Sequence, residues 1–267
     1  MRPSNLFARF TCFPPSLTRR SLYLNTHLYP SSSVTTQLLV HYIYPQWSLT
    51  RTMSTSAHSN IRDDLVILPT DKWGWVIYRC SYADADNETW AQFRTRVEAR
   101  SREDIAQSDA PEIAQRLEWT WVEDRTTLDG ASTAALRKRF RAWTADEVAQ
   151  QPGDYQPSDV SRFRYFIKID KEVLQNLAGF LEKGWSSDAF VKIVDAEWEP
   201  SSAIAVGGQQ AEEQDVFEPI NGCTEKNVGW MRIAPNMINA EFYNALDGDE
   251  NAWDDQFYKR PPSILQW

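Results

Sequence analysis

Beyond residue 62 the sequence has no histidine: His27, His41 and His58 are the only three in 267 residues. No other unperturbed side chain titrates near neutral pH, so imidazole carries most proton shuttling there. A Ser-His-Asp or Cys-His nucleophile, a 2-His-1-carboxylate iron site, an HExxH zinc site and a zinc deaminase site are therefore excluded if the first 62 residues stay outside the folded unit. An enzyme built on this chain would use carboxylates, Tyr, Lys or Cys with shifted pKa values as acid and base. Cysteine is equally scarce. Cys12, Cys80 and Cys223 stand far apart with no CxxC or Cys/His spacing, so no zinc site, and no metal or other cofactor, is expected. Such thiols fit a reducing compartment, and Cys80 reads as a buried strand residue. Long apolar runs are missing too: the most apolar stretch, "QLLVHYIY", is too short to span a bilayer.

Acid is absent from the start of the chain. Of 37 acidic residues none precedes Asp63, whereas six of the 28 basic ones do, so from Asp63 onward the chain is about fifteen charges negative. The first 62 residues also lack Lys and Gly, are rich in Ser, Thr and Leu, and are broken by Pro14, Pro15, Pro30 and Pro45. Three readings of this leader stay open: translation starting at Met53, a mitochondrial presequence in which Leu6, Phe7 and Phe10 make an amphipathic turn beside Arg2 and Arg9, or a disordered tail. A cytoplasmic location is expected, mitochondrial if the presequence is real. The expected division is a leader over 1–62, one α+β domain over 63–250, and an acidic, Trp-bearing tail over 251–267.

What is present is a regular alternation of strands and helices. The run "WGWVIYR" (73–79) predicts a strand buried on both faces. Asp86 or Asn87 caps a helix over about 87–105 whose stripe is Trp90, Phe93 and Val97. Pro111 opens a short helical turn, and "LEWTWVED" alternates as a strand with Trp119 and Trp121 on one face. Leu136, Phe140 and Trp143 mark a helix over 131–149; "RFRYFIKID" (162–170) is a third strand with Phe163, Tyr165, Ile167 and Ile169 on one face. Asp170 caps a helix ending at Gly184, and "AFVKIVDAEW" (189–198) and "VGWMRIAP" are strands on either side of a polar loop over 199–227. "NAEFYNAL" is a short last helix. This order fits a ferredoxin-like split βαβ sheet with an inserted helix and an extra strand, in the α+β class; two pseudo-symmetric lobes or a different three-layer arrangement are the alternatives.

The combination "WGWVIYR", "WTWVED", "RYFIKID", "FVKIVDAEW" and "NGCTEKNVGWMRI" resembles a group of hypothetical proteins of filamentous fungi. The resemblance spans nearly all of the chain after the leader. It implies a source and carries over no activity and no site residue.

Four motifs invite a function. "RKRFR" (137–141) is the densest basic cluster, but on so acidic a chain a solvated helix face paired to carboxylates is expected rather than a nucleic-acid site. "DGDENAWDDQFY" starts like a calcium loop with Asp247, Asp249 and Asn251, then places Ala252 and Tyr258 where the turn glycine and the closing glutamate belong. Cys223 has only Lys226 nearby to activate it, so no nucleophile is expected, and Gly207-Gly208 matches no phosphate loop. The twelve tryptophans are the remaining signal. Their first reading is sheet core; the second is an aromatic-walled pocket with Trp75, Trp121 and Trp230 as walls and Arg79, Arg164 and Arg232 as polar anchors. The function expected is a non-catalytic protein that binds a small apolar ligand or a protein partner, a second copy of the chain included, with no nucleic acid and no membrane. The alternative is a cofactor-free isomerase or cyclase of a fungal metabolite pathway.

Overall fold

The structure, a computed structural model, describes residues 56–68, 70–151, 156–183, 186–200, 217–247 and 251–267. The leader readings before residue 56, Gly184, Gly207-Gly208 and Asp249 lie outside them.

The chain enters through α1 (Ala57–Ile67), continues into β1 (Val76–Arg79), and crosses by α2 (Asp86–Gln107) and a helical turn at Pro111–Arg116 to β2 (Thr120–Val122). Helices α3 (Arg125–Leu128), α4 (Thr133–Val148) and α5 (Ser161–Arg164) lead to β3 (Tyr165–Ile169). Then come α6 (Lys171–Lys183), β4 (Val191–Asp195), β5 (Trp230–Ile233), α7 (Ala240–Ala245), a π-helical turn at Ala252–Phe257, and β6 (Ile264–Leu265). The mixed sheet runs β2-β1-β3-β4-β5-β6. β1 is parallel to both β2 and β3, β4 is antiparallel to β3 and β5, and β6 is parallel to β5.

Period-two alternation of the side chains divides the central strands between two cores. Ile77, Tyr165, Ile167, Ile169, Ile193 and Met231 join the larger core with α2, α6 and α7. On the opposite face Val76, Tyr78, Phe166 and Val194 pack under Leu128 of α3 and Leu136 and Phe140 of α4. Apolar residues at consecutive positions of β1 are thus what a strand covered on both sides requires. Helix α2 buries Trp90, Phe93, Val97 and Ile105, the expected stripe extended by two turns. Asp170 caps α6 as expected, accepting the Val173 N–H at 3.2 Å.

The α+β class stands, but the order differs from the ferredoxin-like expectation. In that fold another strand separates the first two; here Ile77 registers directly with Trp121. The α2 crossover therefore returns to the adjacent position, which a run of elements in sequence cannot specify. The boundaries differ as well. Asp63, where the domain was expected to begin, lies inside α1, whose Ile61 and Leu65 are buried in the core and whose His58 is buried beside Asp104 at 3.0 Å. One histidine thus belongs to the folded unit. The expected tail is core as well: Trp253 is fully buried and Leu265 pairs with Ile233 of β5. At α2 the cap differs, because Ala85 holds the N-cap position and Asp86, in the first turn, accepts from the Ser81 hydroxyl at 2.5 Å. The third strand starts only at Tyr165, since Arg162 and Phe163 lie in α5.

Candidate functional site

The six aromatic and basic residues singled out in the sequence fall in separate places. Trp75 is wholly core, with its ring 5.5 Å from that of Tyr243 and 5.8 Å from that of Phe242. Arg79 and Trp121 are linked through Trp90: the guanidinium lies 5.5 Å from that ring and Trp121 meets it edge-on at 5.4 Å. Arg79 is spent on structure, donating to Ser81 O at 2.9 Å, Asn87 Oδ1 at 2.5 Å and Glu123 at 3.3 Å. Arg164, just before β3, pairs with Asp195 of β4 at 3.3 Å, in the middle of the sheet and away from the edge strand β2. Trp230 and Arg232 share the β5 face with Lys192, which lies 5.3 Å from the Trp230 ring. Arg232 and Lys192 both engage Glu172, at 2.7 and 2.5 Å.

Of these six, Trp230 and Trp121 line clefts. Beside the edge strand β2, Trp121, Trp119, Leu117, Arg94, Glu98 and Arg102 line a groove of about 340 Å³. Its charges neutralise each other, Glu98 pairing with Arg94 at 3.3 Å and Arg102 at 3.4 Å. A second cleft of about 340 Å³ opens on the α4 face of the sheet. Trp198, Trp230, Ile220 and Val228 give it apolar walls, and Ser132, Thr133, Lys168, Arg137 and Cys223 line it as well.

Local chemistry builds this second cleft from several distant segments. Ser132 caps α4 by accepting the Ala135 N–H at 3.2 Å, which sets the first turn, with Thr133 and Ala134, at the cleft rim. Ile220 and Cys223 exchange backbone hydrogen bonds at 3.0 Å around Asn221 and Gly222, both in the left-handed region. Gly229 (φ +72°) turns the chain into β5 directly beneath Arg137 and Trp198. Arg137 locks this corner: it donates to Asp195 O at 2.9 Å and Gly229 O at 2.7 Å, and its guanidinium lies 4.8 Å from the Trp198 ring. Burial pulls its pKa down, with Asp195 opposing. Of the "RKRFR" cluster, Arg139 and Arg141 behave as a surface face, reaching Asp124 at 3.7 Å and Glu199 at 3.4 Å.

Several other buried titratable groups among the described residues are committed away from the cleft. Asp195 is 4% exposed, and burial raises its pKa against the pull of Arg164; its oxygens accept from Arg164 and from the Glu197 N–H at 2.9 Å. Burial pushes the Cys80 thiol up to about 12, while Cys223 is half-buried at the cleft. Asp247, the first residue of the calcium-like run, accepts the Ser161 N–H at 2.7 Å, and Tyr258 accepts the Val228 N–H at 2.9 Å. No group of His, Cys, Asp and Glu among the described residues has metal-holding geometry, and no described helix is long and apolar enough to cross a membrane. The cleft thus sets a few polar groups, Lys168, Thr133 and Cys223 among them, beside its aromatic walls.

Sequence reasoning missed Trp198, Lys168, Arg137, Ser132 and Thr133 at this site. Trp198 and Lys168 sat inside stretches read as strands, and nothing in spacing joins residues from such distant segments. No family model, curated protein or solved structure matches the chain.

Proposed function

We propose that the protein binds a small molecule with an apolar body in the cleft walled by Trp198 and Trp230, and that it does so without catalysis. The observation that carries this reading is the cleft itself, about 340 Å³ with two indoles and a few polar groups on its lining. That combination of apolar wall and sparse polar contacts, at a volume in the usual range, is the pattern of a ligand site. The isomerase or cyclase reading asks for a shifted carboxylate or tyrosine open to the ligand. Asp195 is shifted but holds Arg164 and a backbone N–H and does not line the cleft, which favours binding over turnover. In this reading the protein works in the cytoplasm, where the free Cys80 and Cys223 stay reduced.

Native mass spectrometry of the full chain purified from its own host, against the mass after denaturation, tests the proposal. A small adduct lost on denaturation, and absent from a Trp230→Ala variant, is the expected result. A clean native mass that no added hydrophobic probe shifts would overturn it.

A further inference from the structure

We infer that the ligand of the Trp198–Trp230 cleft carries an acidic group, a carboxylate, phosphate or sulfonate, which docks on Lys168 and the hydroxyls of Ser132 and Thr133. This rests on the binding reading above and adds to it the polarity of the ligand and the end of the cleft where its charge sits.

The lining of the cleft is the first observation. It holds two cations, Lys168 and Arg137, and no Asp or Glu among the described residues, in a chain whose formal net charge is −9. In the groove beside β2, by contrast, cations and carboxylates alternate and pair. A cleft that gathers only positive charge on an acidic protein favours an anion, because the low-dielectric walls reduce screening of the attraction.

The state of Lys168 is the second. It is 9% exposed, and among the described residues its ammonium has only long contacts, 3.5 Å to Thr133 Oγ1 and 3.7 Å to Asp170 Oδ2. Asp170 is held much closer by Lys192, at 2.8 Å, and by the Val173 N–H. Three cations, Lys168, Lys192 and Arg232, thus share two carboxylates, Asp170 and Glu172. Lys168 is the one left without a short bond. A buried ammonium in that position gains most from an acceptor supplied by a ligand.

The hydroxyls are the third. Ser132 Oγ already accepts from the Ala135 N–H, and Thr133 Oγ1 from Lys168. Each O–H proton is consequently available to donate into the cleft they both line. Arg137, whose Nε and Nη2 donate to the carbonyls of Asp195 and Gly229, is fixed in place and adds its charge to the cleft. An acidic head on Lys168, Ser132 and Thr133 places the apolar body against Trp198 and Trp230.

Two fluorescent probes that differ by one acidic group separate the possibilities: 8-anilinonaphthalene-1-sulfonate and the neutral N-phenyl-1-naphthylamine, titrated at low ionic strength into the full chain and its variants. The expected result is that the sulfonate binds at least about tenfold more tightly, as a charge-assisted bond supplies. Lys168→Met abolishes that difference while leaving the neutral probe unchanged, and Lys138→Met, on the exposed side of α4, alters neither. Thr133→Val, a milder change, narrows the difference part-way and serves if Lys168→Met fails to fold by circular dichroism. Equal affinity for both probes, or a preference for the sulfonate that survives Lys168→Met, overturns the acidic-ligand inference while leaving the aromatic cleft in place, provided Trp230→Ala weakens both. Absence of binding by either probe, or binding indifferent to Trp230→Ala, overturns the cleft reading and this inference with it.

Discussion

Trp253 lies flat against Tyr165, their ring centroids 5.1 Å apart and their planes 16° from parallel. The contact ties the last segment of the chain to the third strand of the sheet. Both rings are fully buried, so what the charge pattern presents as an acidic tail is part of the main core. Replacing a buried aromatic of this size by alanine removes its apolar burial and leaves a cavity. Trp253→Ala is expected to cost about 3–5 kcal/mol. Urea unfolding followed by far-UV circular dichroism measures it, and a loss below about 1 kcal/mol would be incompatible with the packing described.

Gly229 is the next position where a small change has a large expected effect. Its φ of +72° lies in the left-handed region, and an added Cβ would run into the Arg137 guanidinium and the Trp198 ring. Both objections apply at once, so Gly229→Ala is expected to destabilise by more than about 1 kcal/mol. It also displaces a cleft wall, and naphthyl-probe affinity should fall even at temperatures where the variant is fully folded. Probe titration alongside thermal melts tests the pairing of the two effects. A melt unchanged from the parent would refute it.

Alkaline pH should expose the buried thiol and phenol of the smaller core. Burial raises Cys80 from 9.0 to about 12 and Tyr78 from 10.0 to about 12. A group whose folded pKa lies above its unfolded value contributes stability that is complete below the unfolded pKa. That contribution is lost as pH rises, because the unfolded chain releases the proton first. Stability should therefore decline from about pH 9 to about pH 12, by about 1.4 kcal/mol per pH unit for each group titrating. Comparing urea midpoints across this range for the parent and Cys80→Ala isolates the thiol. The variant should show a shallower decline whatever its stability at neutral pH.

The two described cysteines should also differ in reactivity. Cys80 is 2% exposed with its thiol raised, whereas Cys223 is half-buried and lines the cleft. The thiolate is the reactive form, so alkylation by iodoacetamide at pH 8 should label Cys223 within minutes and Cys80 only after unfolding. A bound anionic naphthyl probe should slow labelling of Cys223. Peptide mapping by mass spectrometry in a Cys12→Ser background reads both sites; rapid labelling of Cys80 in the native protein would contradict its placement.

Much of the local structure was legible. Trp90, Phe93 and Val97 announce α2 because a buried helix face recurs every three or four residues. Asp170 announces the start of α6 because a side-chain acceptor is needed where backbone donors lack partners. The continuous apolar run of β1 signals burial on both faces, and that burial is present. Less was legible where charge dominated composition. His58 and Ile61 sit among residues that look like a leader, yet both are buried in α1. At the other end, the acidic neighbours of Trp253 concealed a core residue, because one apolar pair makes no periodic pattern. Arg162, read as a strand position, instead lies in α5 and donates to Gly74 O at 2.7 Å and Glu118 O at 3.0 Å, joining the ends of β1 and β2.

The candidate cleft is the clearest division. Alone, the sequence determined which residues are apolar, which faces of each helix and strand they share, and where several helices begin, since those properties depend on near neighbours and on fixed periods of 3.6 and 2. Only the tertiary structure decided that β1 sits between β2 and β3, and that Thr133, Lys168, Trp198 and Trp230 line one cavity. Strand order and cavity lining arise from the packing of whole elements against each other, and period two places a side chain on a face without saying which strand lies beside it.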